Sequence, residues 1–114
     1  MTQLTEQRSR ILGMLGVAAD DVSASQEIDP PADSIGARDA VAFELPGIPT
    51  PVVVYDFPDQ ASAFEAKASL ARSRPGFHRA TVNGTLLMWA HSDTDDRDIT
   101  RAITRLGSQF AGEE

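Results

Sequence analysis

Residues 77–92 read Phe77-His78-Arg79-Ala80-Thr81-Val82-Asn83-Gly84-Thr85-Leu86-Leu87-Met88-Trp89-Ala90-His91-Ser92. Two runs rich in β-branched, aromatic and apolar residues flank an Asn-Gly pair, the strongest short signal for a β-hairpin. With Asn83-Gly84 as a two-residue turn of type I′, Val82 pairs with Thr85, Ala80 with Leu87 and His78 with Trp89. One face then carries His78, Ala80, Val82, Thr85, Leu87, Trp89 and His91. The other carries Phe77, Arg79, Thr81, Leu86, Met88 and Ala90. The strand from 85 to 92 is apolar on both faces, as in a strand covered on both sides or one whose open face meets a partner, and either the N-terminal helix or a second copy of the chain could supply the cover.

The elements around this hairpin fit the same architecture. Upstream, Val41, Phe43 and Leu45 alternate with Ala42 and Glu44, which predicts a half-buried strand over 38–45. Val52 to Phe57 is rich in β-branched and aromatic residues and predicts a strand over 51–57. Pro46, Gly47, Pro49 and Pro51 make a stiff connection between them. Asp59 is placed to cap a helix over 60–73, on which Ala61, Phe64, Ala68 and Ala71 share one face, with Pro75 and Gly76 ending it. Downstream, Ile99, Ile103, Leu106 and Phe110 form a helical stripe, predicting a helix over 97–110. The order is strand–strand–helix, twice. The expected class is α+β: an N-terminal helix followed by ββαββα, a four-stranded antiparallel sheet with helices packed on one face. Phe43, Tyr55, Phe64, Leu87, Ile103 and Leu106 are expected to share one core.

The first 37 residues divide in two. Residues 1–18 hold a docking helix over 4–16, with Thr5 as cap, Gly16 as stop, and Ile11, Leu12 and Leu15 as its stripe. Residues 19–37 are an acidic loop carrying Asp20, Asp21, Glu27, Asp29 and Asp33. Pro30 and Pro31 exclude helix there, and Gly36 permits a turn. The loop reads as a solvated tether, or as a wrap anchored by Val22, Ile28 and Ile35. Residues 38–114 form the ββαββα body, so the 114 residues make one domain.

Composition narrows the function classes. Net charge is −7, so phosphate backbones and anionic lipid are poor partners and no nucleic-acid binding is expected. The chain has no cysteine, which excludes disulfides, thiolate catalysis and sulfur-ligated zinc. No stretch is long and apolar enough to span a bilayer. The N-terminus lacks the apolar run and cleavage site of a signal peptide, so a cytoplasmic location is expected, or an exported one if a leader was removed.

Ile35-Gly36-Ala37-Arg38-Asp39, Val54-Tyr55-Asp56-Phe57 leading into an alanine-rich helix, the hairpin from Val82 to Met88, and the closing segment Ile99–Leu106 occur in this order. Over residues 34–107 the chain resembles small bacterial lipoprotein-like domains of unknown function. It departs from them in lacking a signal peptide and a lipid-anchor cysteine. The resemblance implies a fold and no activity.

The candidate site is the hairpin face. His78, Trp89 and His91 fall together on it, with Tyr55 as a further ligand-binding candidate and Asp56 or Asp93 able to orient an imidazole. The plainer reading is two ordinary strand histidines beside an indole, since two histidines define neither a nucleophile nor a metal shell. The grouping depends on the turn: if Val82 is not opposite Thr85, it falls with the enzyme alternative. Asp93, Asp95, Asp96 and Asp98 fail the EF-hand pattern, which needs glycine at its sixth position and glutamate at its twelfth, and they suit a helix N-terminus. Arg72, Arg74, His78 and Arg79 form a basic cluster that could bind an anion or balance nearby carboxylates. No metal and no cofactor are expected. Two functions remain: a small binding or interaction domain, homodimeric through a sheet face that a second copy covers, or a small enzyme or ligand-binding protein using the face around His78, Trp89 and His91.

Overall fold

The computed structural model describes residues 8–16, 22–25, 28, 31–45, 48, 50–73, 77–92 and 96–111. Its elements are α1 (Arg8–Leu15), β1 (Ser23–Ser25), a 3-10 turn (Ala32–Ile35), β2 (Asp39–Glu44), β3 (Val52–Asp56), α2 (Gln60–Ser73), β4 (Phe77–Asn83), β5 (Leu86–Ser92) and α3 (Arg97–Ala111). The α+β class and the ββαββα order after an N-terminal helix are those expected. The start of the first helix, its Thr5 cap, and Arg74, Pro75, Gly76 and Asp93 lie outside the described residues.

The sheet is antiparallel throughout, in the order β1-β2-β3-β5-β4. The four expected strands form its body. A fifth, three-residue strand extends it, with Ser23 opposite Glu44 and Ser25 opposite Ala42. Because β3 and β4 are both antiparallel to β5, they run parallel to each other, linked by α2 with β5 between them. All five residues of β3 are buried, as a strand covered on both faces requires.

The helices pack on both faces of the sheet, not on one as expected. The first face joins Val52, Val54, Leu86, Met88 and Ala90 to Ile11, Leu12 and Leu15 of α1 and to Ile103, Leu106 and Phe110 of α3. The second joins Val53, Tyr55, Phe57, Leu87 and Trp89 to Ala63, Ala66 and Leu70 of α2. Strand alternation separates these sets: even-numbered β5 residues meet α1 and α3, and odd-numbered ones meet α2. The single core expected from Phe43 to Leu106 is therefore two. Phe43, Ile103 and Leu106 belong to the first, and Tyr55 and Leu87 to the second.

Phe64 belongs to neither and is 50% exposed. Ala61, Ala68 and Ala71, the rest of its predicted stripe, are exposed as well, while Ala63, Ala66 and Leu70 face the sheet. The reason is volume. Tyr55, Phe57 and Trp89 occupy the space beneath α2, and the helix meets them with Ala63, Ala66 and one larger side chain, Leu70.

Of the segment over 19–37, the described residues Val22, Ile28 and Ile35 are anchored on the sheet. Val22 is buried against the first core. Ile28 and Ile35 are half-buried against the second. These described residues thus touch both faces of the sheet. Gly36 turns the chain back at φ +80° after Ala32–Ile35, and the Ala37 N–H donates to the Ala32 carbonyl at 2.9 Å.

Candidate functional site

The hairpin forms with a different register from that expected. Asn83 pairs with Leu86, Val82 with Leu87, Ala80 with Trp89 and His78 with His91. The two-residue loop is Gly84-Thr85, and Gly84 (φ +64°) alone has positive φ there. A glycine with positive φ at the first loop position is the pattern of a type II′ turn, whereas type I′ would also require positive φ at the second. The observed turn is held by contacts of Thr85 and Asn83. The Thr85 hydroxyl donates to Asp56 Oδ1 at 3.2 Å, the Phe57 N–H donates to the Thr85 carbonyl at 2.9 Å, and Asn83 Nδ2 donates to the Phe110 carbonyl at 2.8 Å.

Val82 is therefore not opposite Thr85, and the enzyme alternative conditioned on that pair is not carried forward. The rings nevertheless meet, because moving the loop along by one residue keeps the parity of each strand. The Trp89 ring centroid lies 5.3 Å from that of His78 and 5.8 Å from that of His91, both tilted. These are ordinary aromatic packing distances. Trp89 is fully buried and both histidines are half-buried. Among the described residues, His78 Nδ1 and Trp89 Nε1 are buried without a hydrogen-bond partner. Tyr55 is fully buried under the same face, one pair along, with its ring 6.5 Å from that of Phe57. Asp56, expected as an orienter of imidazole, instead accepts from Arg38 Nε at 2.7 Å and from Thr85. The cluster sets the buried Trp89 beneath α2 with an imidazole packed on either side.

More distinctive is the outer edge of β4, which ends the sheet. In a two-residue hairpin the residues flanking the loop form a hydrogen-bonded pair, and bonded pairs then alternate along the strands. Asn83, Thr81, Arg79 and Phe77 thus bond to β5, while the N–H and C=O groups of His78, Ala80 and Val82 point outward. Beside them runs a cleft of about 440 Å³ walled by Phe64, Lys67 and Ala71 of α2 on one side and Ala111 of α3 on the other. Phe64 is the only large apolar side chain among the described residues that is exposed.

Arg79 reaches this cleft by crossing α3 at Gly107, where a Cβ would stand 2.7 Å from Arg79 Cγ. The basic cluster read from the sequence is divided accordingly. Arg79 and His78 line the β4 cleft. Arg72 lines a second cleft, about 610 Å³, between the 3-10 turn and α2, where it shares the wall with Glu65 and serines. Phe64 and Lys67 were missed as surface features because the largest apolar residue of a helix is ordinarily its core residue. The competing stripe Ala63, Ala66 and Leu70, also at helical spacing, was the signal that could have found them.

At the first helix turn of α3, Asp96 Oδ1 accepts from the Asp98 N–H at 2.8 Å, so this carboxylate acts as a helix cap. No group of three His, Asp or Glu among the described residues is placed to hold a metal ion, and no described helix is long and apolar enough to cross a membrane. No protein-family model, curated protein or solved structure matches the chain.

Proposed function

We propose that this chain is a binding domain that recognises its partner along the outer edge of β4, by addition of an extended segment to the sheet. The observation that carries the reading is the combination of an open seven-residue edge strand with the exposed Phe64 beside it. β4 pairs with β5 over its whole length without a bulge and contains no proline. Short, bulged or proline-bearing strands are the usual protection of an edge, and β4 has none of these. Added strands gain affinity from main-chain hydrogen bonds and selectivity from side-chain pockets along the edge.

Both faces of the sheet are buried by the chain's own helices, so the edge, rather than a face, is the surface left for a partner or a second copy. The experiment is selection of random short peptides displayed on phage against the chain, with counter-screening on Ala80→Pro and Phe64→Asp. Proline at 80 removes an outward N–H without touching the β5 ladder. Peptides that bind the parent and lose binding to both variants are the expected result. Peptides that bind all three alike would place recognition elsewhere and overturn the reading.

A further inference from the structure

We infer that the segment accepted by the β4 edge is an extended acidic peptide, with carboxylates alternating with apolar side chains. The inference rests on the edge-binding reading above and names its ligand class.

The chain carries −7, yet among the described residues the β4 cleft is lined by Lys67 and Arg79 and by no carboxylate. Neither cation has a salt-bridge partner among the described residues. The two sit on opposite sides of the edge: Lys67 projects from α2, and Arg79 lies over α3 at Gly107. A strand added outside β4 alternates its side chains between those two sides. Carboxylates on either side therefore meet a cation, and an apolar side chain on the α2 side meets Phe64 and Ala71. A basic segment would face two like charges without a counter-ion. A second copy of β4 would bring its own Arg79 and Lys67 into the same groove, which disfavours self-pairing.

The test uses the full chain and labelled peptides matched in length to β4: valine alternating with aspartate, with serine, and with lysine. Fluorescence anisotropy at low salt measures binding, and amide shifts in NMR spectra locate it. The expected result is preference for the aspartate peptide, shifts at His78, Ala80 and Val82, and weakening with added salt. Lys67→Glu combined with Arg79→Gln should weaken the aspartate peptide by roughly tenfold or more, because alternation puts its aspartates on one side of the edge and the double variant removes the cation on either side. Ala80→Pro should abolish binding in a chain whose circular dichroism is unchanged. If the serine or lysine peptide binds equally well and Ala80→Pro still abolishes binding, the acidic ligand is wrong and the edge reading stands. If light scattering shows a dimer that Ala80→Pro dissolves, the edge takes a second copy and the acidic ligand is again overturned. Binding of no peptide, with no dimer, overturns both.

Discussion

Arg38 and Asp56 are joined twice across the start of the sheet. Arg38 Nε donates to Asp56 Oδ2 at 2.7 Å, and the Arg38 backbone N–H donates to the Asp56 carbonyl at 2.9 Å. Asp56 is buried while the Arg38 side chain is 54% exposed, so the pair is a carboxylate held at the sheet margin by a solvated cation. The other carboxylate oxygen accepts from Thr85 of the hairpin loop. One side chain thus ties the ends of β2 and β3 to the turn that sets the β4–β5 register. Asp56→Ala should cost about 1.5–3 kcal/mol, the range for hydrogen bonds to charged groups. Urea denaturation measures it, and a loss below ~0.5 kcal/mol would show that the tie does not matter. Arg38→Ala should cost less, because solvent screens and replaces an exposed guanidinium.

The cap of α2 predicts a pH dependence. Asp59 Oδ1 accepts from the Ser62 N–H at 2.8 Å, which holds the Asp59 carboxyl below its ordinary value of 3.8, with the Ser62 side chain adding to the effect. A carboxylate lowered in the folded state stabilises above the unfolded value, and that contribution is lost as pH falls through the folded one. Asp59→Ala should therefore lower stability at neutral pH. The deficit should vanish as the pH drops below 3.8 and through the lowered native value. A deficit that stays constant down the acid range would refute the cap as its origin.

These two ties mark a boundary in what the sequence discloses. The strands were legible because β-branched and apolar runs bounded by proline and glycine leave little else to form: predicted 51–57 and 85–92 became Val52–Asp56 and Leu86–Ser92. The last helix was legible because Ile103, Leu106 and Phe110 form one uncontested stripe, all buried. Asp59 as a cap followed from local chemistry alone. Burial of both faces of β5 was legible too, and it is what two-sided helix cover requires. Which helix covers which face was not, because periodicity fixes the apolar stripe of a helix and says nothing of where the chain crosses.

The same limit explains the site. His78, Trp89 and His91 could be grouped from parity, and parity survived the change of register. Their exact partners could not, because the observed turn is tied by the long-range contacts Asp56–Thr85 and Asn83–Phe110, which a local sequence pattern does not disclose. Phe64 shows a different limit. Its exposure depends on how much volume Tyr55, Phe57 and Trp89 occupy beneath α2, a property of the sheet rather than of the helix sequence.

The two stripes of α2 differ in burial, and their side chains should differ in what they contribute to stability. Phe64→Ala should change stability by less than ~0.5 kcal/mol, since the ring is half exposed and outside both cores. Leu70→Ala, on the buried stripe, should cost about 2–5 kcal/mol. Thermal or chemical denaturation of the two variants side by side decides it, and a larger loss at Phe64 than at Leu70 would restore the originally expected stripe.

Gly107 makes an equally sharp prediction. In the interior of α3, alanine would ordinarily gain about 1 kcal/mol over glycine. Here the added Cβ would stand 2.6 Å from Arg79 Nε, 2.7 Å from Arg79 Cγ and 2.9 Å from Thr81 Oγ1. Gly107→Ala should therefore destabilise the chain, by about 1–3 kcal/mol for overpacking. In a background carrying Arg79→Ala and Thr81→Ala the sign should reverse, since only the helix gain remains. If Gly107→Ala is stabilising in the parent chain, Arg79 does not cross the helix at this position.

The turn distinguishes its two residues. Gly84 has φ +64°, a conformation that L side chains adopt at a cost. Gly84→Val should lose about 1–3 kcal/mol through backbone strain, although a Cβ there would meet no atom within 4 Å. Asn83 has no positive φ, so its contribution is the side chain, whose Nδ2 donates to the Phe110 carbonyl at the end of α3. That carbonyl is one of the last four of the helix, which have no partner within it. Asn83→Ala should cost about 0.5–1.5 kcal/mol, one hydrogen bond, and Asn83→Asp should cost as much because it removes the donor while leaving a residue suited to turns. The two mechanisms separate in the hydrogen exchange of α3. Asn83→Asp should speed exchange in its last turn, whereas Gly84→Val should leave that turn unchanged relative to its global loss of stability. Equal tolerance of aspartate and asparagine at 83, with α3 exchange unaltered, would mean that Asn83 is there for turn conformation after all.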